Sequence, residues 1–214
     1  MSIKELYEIK RIENSVAQDV VVKNHYLHRK APCSFAFGLF DKTNNLMGVV
    51  MYGTPASSPL RKGICGPEEA SNVIELTRLW VDDVVEKNGE SYLIGNTIPL
   101  VGKEIIVSFA EIEKGHVGYV YQATNWIYTG LSKIRGNWTV KGLDKHSHTI
   151  ADKYTAKELR EKFGDAFTTV PRPRKHRYIY FNTTSRKRKK ELLTKLRYPI
   201  EAYPKIKIDK EVVI

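Results

Sequence analysis

The chain has 214 residues, 42% apolar and 10% aromatic, enough to bury one sizeable core and too apolar for a disordered polypeptide. Its 35 Lys and Arg against 24 Asp and Glu leave a formal net charge of +11, which calls for an anionic partner, nucleic acid first. No apolar run approaches the roughly 18 residues of a membrane-spanning helix, so no membrane role is expected, and Cys33 and Cys65 are too few for a disulfide framework or a four-cysteine zinc site. They read as reduced structural thiols.

The opening MSIKELYEIKRIE interrupts every apolar pair with charge, unlike a secretory signal, and the expected location is a cytoplasm. Over residues 4–23, Leu6, Ile9, Ile12, Val16 and Val20 recur every three or four positions, which predicts a helix with room for a short strand at its start. It leads into Asn24-His25-Tyr26-Leu27-His28-Arg29, where two imidazoles, a phenol and a guanidinium fall within six residues. Neutral imidazole ligates metals or acts as a base near neutral pH; surface or helix-capping histidines are the alternative.

Two apolar runs, 34–40 and 46–53, flank the turn-forming Asp41 to Asn45 and predict a β-hairpin. The Pro-, Gly- and Ser-rich stretch 54–69 reads as a loop over that hairpin. Residues 73–81 alternate like a strand, with Glu75, Thr77 and Leu79 on one face and Leu76, Arg78 and Trp80 on the other. A guanidinium beside Leu and Trp must be paired with a carboxylate or serve a ligand such as a phosphate.

A helix is predicted over 90–103 and a short buried strand over 105–110, with Glu111 at the strand's carboxyl end, where open α/β sheets place ligands. Gly115-His116-Val117-Gly118 then opens a second helix over 119–128, closed by Gly130, whose Tyr121, Thr124, Asn125 and Tyr128 share a face. Residues 138–171 are polar and mixed, with a helix over 156–163. From Pro171 to Lys190 the chain carries nine basic residues and no acid: Arg172, Arg174, Lys175, Arg177, Arg186, Lys187, Arg188, Lys189 and Lys190, interleaved with Tyr178, Tyr180 and Phe181. Such a stretch suits phosphate contact with base stacking, or is a solvated basic face. The element order predicts an α+β fold.

Taken together, Asn24-His25-Tyr26 with Arg29, the strand Glu75-Leu76-Thr77-Arg78-Leu79-Trp80, and Gly115-His116-Val117-Gly118 running to Tyr121-Gln122-Ala123-Thr124-Asn125-Trp126-Ile127-Tyr128-Thr129-Gly130 resemble the Mom DNA-modification proteins of bacteriophages. The likeness extends in order over roughly residues 24–130, and Tyr203-Pro204-Lys205 is similar to the family's ending. The resemblance implies a mixed sheet related to the GNAT acetyltransferases and conversion of adenine in double-stranded DNA to N6-carbamoylmethyl adenine, shielding phage DNA from restriction in the host cytoplasm. Residues 1–214 would form one GNAT-like domain, with 138–214 as its basic, DNA-contacting part.

Position by position, the resemblance implies His25, Tyr26, Glu111 and Tyr121 as the catalytic group. The same four are implied as ligands of iron, and Arg78 and Ser91 as the residues that bind acetyl-CoA or a related donor. The chain departs from the family in carrying Glu111 where Asp is usual, and from ordinary GNAT enzymes in having only Gly89 between Val81 and Ser91 instead of a Gly-rich pyrophosphate loop. A carbamoylmethyl group joins N6 through a methylene carbon, so acetyl transfer alone does not produce it. His25 or Glu111 would take the N6 proton, and Tyr26, Tyr121 or Trp126 would stack on the extruded base. The alternatives are a conventional acetyl-CoA-dependent N-acetyltransferase and a non-catalytic DNA-binding protein.

Overall fold

The computed structural model describes residues 2–143, 150–151 and 153–205. Its main sheet has seven strands in the spatial order β1 (Glu8–Arg11), β2 (Phe35–Phe40), β3 (Leu46–Gly53), β4 (Val73–Val81), β5 (Ile105–Glu111), β9 (Lys175–Phe181) and β6 (Ile127–Leu131). Every neighbouring pair is antiparallel except β4 and β5, which run parallel. The sheet is mixed and flanked by helices, the α+β class expected.

The predicted hairpin forms as β2 and β3. The Asp41 carboxylate accepts the backbone N–H groups of Thr43 and Asn45 at 2.9 and 2.8 Å, an Asx-type turn that fixes the reversal. The helix expected over 4–23, with room for a short strand at its start, is α1 (Ile3–Leu6), β1 and α2 (Asn14–Asn24), because residues 8–11 pair with β2 and that ladder overrides the local helical period. The expected loop 54–69 contains α3 (Ser58–Cys65), begun by a Ser57 hydroxyl that accepts the Leu60 N–H and by Pro59 in the first turn, where proline favours a helix.

Further on, α4 (Gly89–Thr97) runs into a 3-10 turn ending at Val101. The helix expected over 119–128 stops early as α5 (Tyr119–Ala123), since Asn125 takes a left-handed φ of 60° and Ile127–Leu131 pairs with β9 as β6. The predicted helix 156–163 is α6 (Ala156–Phe163), opened by a Thr155 and Glu158 capping box. It packs on a two-stranded antiparallel sheet not anticipated, β7 (Arg135–Val140) with β8 (Phe167–Arg172), around a small core of Val140, Ile150 and Leu159.

Helix α7 (Arg186–Lys195) closes the described chain. After it, residues 196–205 strap the sheet: Arg197 N–H donates to Ile64 O at 2.9 Å, and the Tyr203 hydroxyl to Trp126 O at 2.7 Å.

Core residues divide by sheet face. Tyr52, Leu76, Ile106 and Tyr178 pack under Leu93 and Ile94 of α4 and Tyr121 of α5. Val73, Ile105, Val107 and Ile179 pack against Ile64 of α3 and Leu192 of α7 on the opposite side, so α3 does not lie over the hairpin. There α2 covers Ala36, Val49 and Met51 with Ala17 and Val21. Each such fully buried side chain contributes roughly 1.5–3 kcal/mol. Among the described residues no helix is long and apolar enough to cross a membrane, and both cysteines are free.

Candidate active site

Strands β4 and β5 are in register only where Val73–Glu75 faces Ile105–Val107. Past that point they part, and a cleft of about 600 Å3 opens between them. One residue of β4 decides what enters it. On β3, Met51 opposes Arg78 while its neighbour Tyr52 opposes Leu76, so Thr77 is an extra residue in the β4 ladder. A one-residue bulge resets the alternation of side chains. Glu75 and Arg78, expected on opposite faces, therefore share one face, and Leu76, Leu79 and Val81 turn into the core together. The Thr77 hydroxyl lies 3.0 Å from Pro32 O and 3.2 Å from Met51 O, which holds the bulge against the preceding loop.

Arg78 is half-buried. Its Nη1 donates to Thr77 O at 2.6 Å and its Nη2 to Lys30 O at 3.5 Å, while its buried Nε–H has no partner. The structural ion pair weighed for this residue is not formed among the described residues. Burial and the nearby Arg29 lower its pKa.

His25 caps the C-terminus of α2, its N–H donating to Val21 O. Its Nδ1 accepts the Leu27 N–H at 3.1 Å, so the proton of the neutral ring sits on Nε2. Burial first, and then the Arg78 charge, push the His25 pKa down to about 4, which keeps the ring neutral at physiological pH. Tyr26 stacks on His25 with centroids 4.3 Å apart and meets His116 edge-on at 5.3 Å. Burial, and then the Glu111 carboxylate, raise the Tyr26 phenol to about 12.

Glu111, at the end of β5, accepts a hydrogen bond from Lys175 Nζ at 2.5 Å; the antiparallel register of β5 and β9 sets these two residues opposite each other. The Tyr121 hydroxyl lies 2.8 Å from Ser108 Oγ, and burial raises its pKa far above the ordinary value. Gly118 precedes α5 with φ of 74°, and a Cβ there would meet the Tyr178 ring, so the glycine permits the close approach that seats Tyr121.

The cleft thus brings together His25, Tyr26, Arg78, Glu111 and Tyr121 from well-separated segments. Ser91 is not among its lining residues; its hydroxyl donates to Asn88 O at 3.2 Å, and Glu90 lines the cleft in its place. Lys175, Ser108 and Glu75 also line it, and sequence reasoning gave them no role at the site. Lys175 was legible only as a member of the basic stretch.

That stretch divides. Lys175 is taken by Glu111. Arg177 donates to Thr129 Oγ1 and O at 2.8 and 2.6 Å and lies 3.5 Å from the Tyr198 ring centroid. Arg188 pairs with Glu69, Glu104 and Glu191. Arg186, Lys187, Lys189 and Lys190 are exposed on α7, Arg174 is exposed beside β9, and Arg172 is half-buried. Trp126 is fully buried and Tyr121 nearly so, so of the three rings considered for stacking only Tyr26 is open to a base.

The model of the Mom protein family matches residues 6–205. This chain belongs to the Mom family. A curated relative, the methylcarbamoylase Mom of Escherichia phage Mu, is 25% identical over 217 residues, covering 94% of this chain and 85% of its own. With the family comes the class of protein, a transferase-type enzyme. Similar solved structures include a protein described as a phosphinothricin N-acetyltransferase (10% identity, 83% of this chain and 99% of that one, TM-score 0.48). Others are the spermidine/spermine N-acetyltransferase SpeG of Vibrio cholerae (9%, 87% and 99%, TM-score 0.47) and the acetyltransferase YncA of Salmonella typhimurium with acetyl-CoA (10%, 85% and 96%, TM-score 0.46).

The four residues that the Mom resemblance assigns to iron do not fit a metal. Among the described residues no three His, Cys, Asp or Glu are grouped to hold one. His25 offers one nitrogen, the Glu111 carboxylate already faces Lys175, and the other two donors are phenols whose protons burial holds. An acyl donor fits better. The cleft admits an extended arm, and the unpartnered Arg78 Nε–H can bind its polar groups. The end of the cleft at the start of α4 carries Asp83 and Glu90, so a diphosphate there would depend on backbone N–H groups and Arg78.

Proposed function

We propose that this Mom family member modifies adenine in phage DNA within the host cytoplasm, transferring a carbamoylmethyl group to N6 and so protecting the DNA from restriction. The observation that carries the reading is the convergence of His25, Tyr26, Arg78, Glu111 and Tyr121 on one cleft in the β4–β5 splay. Support also comes from the phage Mu relative's name as a methylcarbamoylase.

To expose N6, the base leaves the duplex at a cost of a few kcal/mol, partly offset by stacking on aromatic side chains. The N6 lone pair is delocalised into the ring, so bond formation at the donor's methylene carbon needs an acceptor for the N6 proton. Glu111 is the acceptor: its carboxylate is held in the cleft by Lys175. His25, neutral and carrying its proton on Nε2, is a hydrogen-bond donor toward the group that leaves. Arg78 binds the donor, whose methylene carbon would carry both the carbamoyl group and a leaving group; the bond to that leaving group breaks as the N6–carbon bond forms, the N6 proton passes to Glu111, and the leaving group takes the Nε2 proton of His25. In the single domain of residues 1–214, the basic part 138–214 grips the duplex through the exposed Arg174, Arg186, Lys187, Lys189 and Lys190 with Arg172.

The test is mass spectrometry of nucleosides digested from the DNA of a bacterium expressing the protein. A deoxyadenosine heavier by a carbamoylmethyl group, and absent with Glu111→Gln, is the expected result. An acetyl mass would establish the conventional acetyltransferase chemistry instead, and unmodified DNA beside a folded protein would sink the reading.

A further inference from the structure

A second cleft, of about 300 Å3, lies on the sheet face covered by α3 and α7. Its walls include Pro59, Leu60, Phe109 and Tyr198, and Lys133 and Arg172 stand on its lining. It shares three residues with the larger cleft, Glu75, Phe109 and Lys175, so the two meet at a common wall. Flat apolar walls with cations beside them suit an aromatic base attached to phosphates.

Glu75 is the unexplained group at that wall. It is half-buried, and it forms no hydrogen bond or ion pair among the described residues. Neither cation beside it donates to it: Lys175 Nζ faces Glu111 and Arg78 Nη1 donates to Thr77 O. The Glu75 oxygens are not sealed among the buried unpartnered atoms of the described residues, so they remain open to a ligand in the cleft, and carboxyls with perturbed titration concentrate at such sites.

We infer that this smaller cleft receives the extruded adenine and that Glu75 holds its N6 amino group at the wall shared with the reaction cleft. The assignment rests on the adenine reading given above and adds to it the pocket and the positioning residue. An oxygen of Glu75 accepts one N6–H, which leaves the nitrogen beside the Lys175–Glu111 pair. Burial raises the Glu75 pKa to about 7, so near neutral pH part of the population is a carboxylic acid, able also to donate to N1. A glutamine there keeps an acceptor and a donor, whereas leucine keeps neither.

The experiment measures binding of purified full-length protein to duplexes with one target base opposite an abasic site, where extrusion costs least. The target is adenine or purine, which lacks only the amino group. Wild type should bind the adenine duplex about tenfold more tightly, the scale of one hydrogen bond to a buried polar group. Glu75→Gln should keep that ratio and Glu75→Leu should bring it to one, with salt-dependent binding to ordinary duplex unchanged. Should Glu75→Leu not fold, Phe109→Ala carries the test: it should lose the gain in affinity that an abasic partner gives over a normal A·T pair. Equal binding of adenine and purine by wild type, loss of the ratio in Glu75→Gln, or its persistence in Glu75→Leu each overturns the assignment. Cellular DNA left unmodified while the ratio depends on Glu75 would defeat the transfer reading and leave the pocket standing.

Discussion

Two charged clusters sit on this molecule, and they are built to opposite rules. Around Arg188, all charges are answered. The guanidinium meets Glu69 at 2.7 Å, Glu104 at 2.8 Å and Glu191 at 2.9 Å, while Lys195 Nζ takes the other oxygen of Glu69 at 2.8 Å. These contacts tie α7 to the turn before β4 and to the residue before β5, which makes the cluster part of the scaffold. Along the splay, by contrast, among the described residues Glu75 has no hydrogen bond, Arg78 Nε–H has none, and only Lys175 and Glu111 are paired. Charges that hold a fold are saturated by the fold, and charges kept for a ligand leave valences open. Both clusters draw on residues that look alike in sequence, since Arg188 and Lys175 belong to one basic stretch.

The sharpest way to break the comparison is at the saturated cluster. Arg188→Met should cost about 3 kcal/mol of stability, because it leaves the Glu69 carboxylate, with a side chain only 6% exposed, without its main partner. Urea unfolding of the purified variant measures this, and a change below about 1 kcal/mol would make the cluster ornamental. The same carboxylate sets an acid limit. Hydrogen bonds from Arg188, chief among the causes, hold its pKa at about 2 against an ordinary 4.5. A pKa depressed in the folded state adds stability that is complete above about 4.5 and is lost as pH falls from there through about 2. Glu69→Gln should flatten that part of the stability profile.

At the open cluster the effect should move from stability to activity. Arg78→Ala removes a side chain whose hydrogen bonds go only to Thr77 O and, weakly, to Lys30 O. Unfolding free energy should change by less than about 1 kcal/mol, while DNA modification per molecule falls about 100-fold, or about 2.7 kcal/mol. Both are read on one preparation by urea titration and nucleoside mass spectrometry. Unfolding of the variant, or undiminished modification, would return Arg78 to the structural class.

What the sequence disclosed follows the range of the interactions concerned. The hairpin of β2 and β3, the strands β4 and β5, and α6 were legible because alternation, an Asx turn and a capping box are local. α3 was read as loop because Pro59 and the glycines look like breakers, although proline in a first turn after a Ser57 cap starts a helix. β1 was only an option within an expected helix, and the start of β6 was read as the end of one, because their pairing partners, β2 and β9, are distant in sequence. At the site, the residue types were visible in His25, Tyr26, Arg78, Glu111 and Tyr121. The Thr77 bulge was not, because it exists only in the register against β3, and neither was the meeting of Lys175 with Glu111 across 64 positions of sequence.

The smallest effects should separate the two kinds of cation within the basic stretch. Lys187, Lys189 and Lys190 are exposed on α7 with no ion pair among the described residues, whereas Arg188 between them turns inward to Glu69 and Glu104. Each lysine that contacts a phosphate releases about one counterion on binding, so each Lys→Ala change should lower the slope of log affinity against log salt by about one. The affinity loss should be similar on any duplex sequence, because phosphate contacts carry no base information. Arg188→Met, measured under conditions where the variant remains folded, should leave the slope unchanged, since its charge is already neutralised within the protein. Equal slopes for all four variants would mean that α7 faces away from the DNA, and the grip would then pass to Arg172 and Arg174 at the β8–β9 turn.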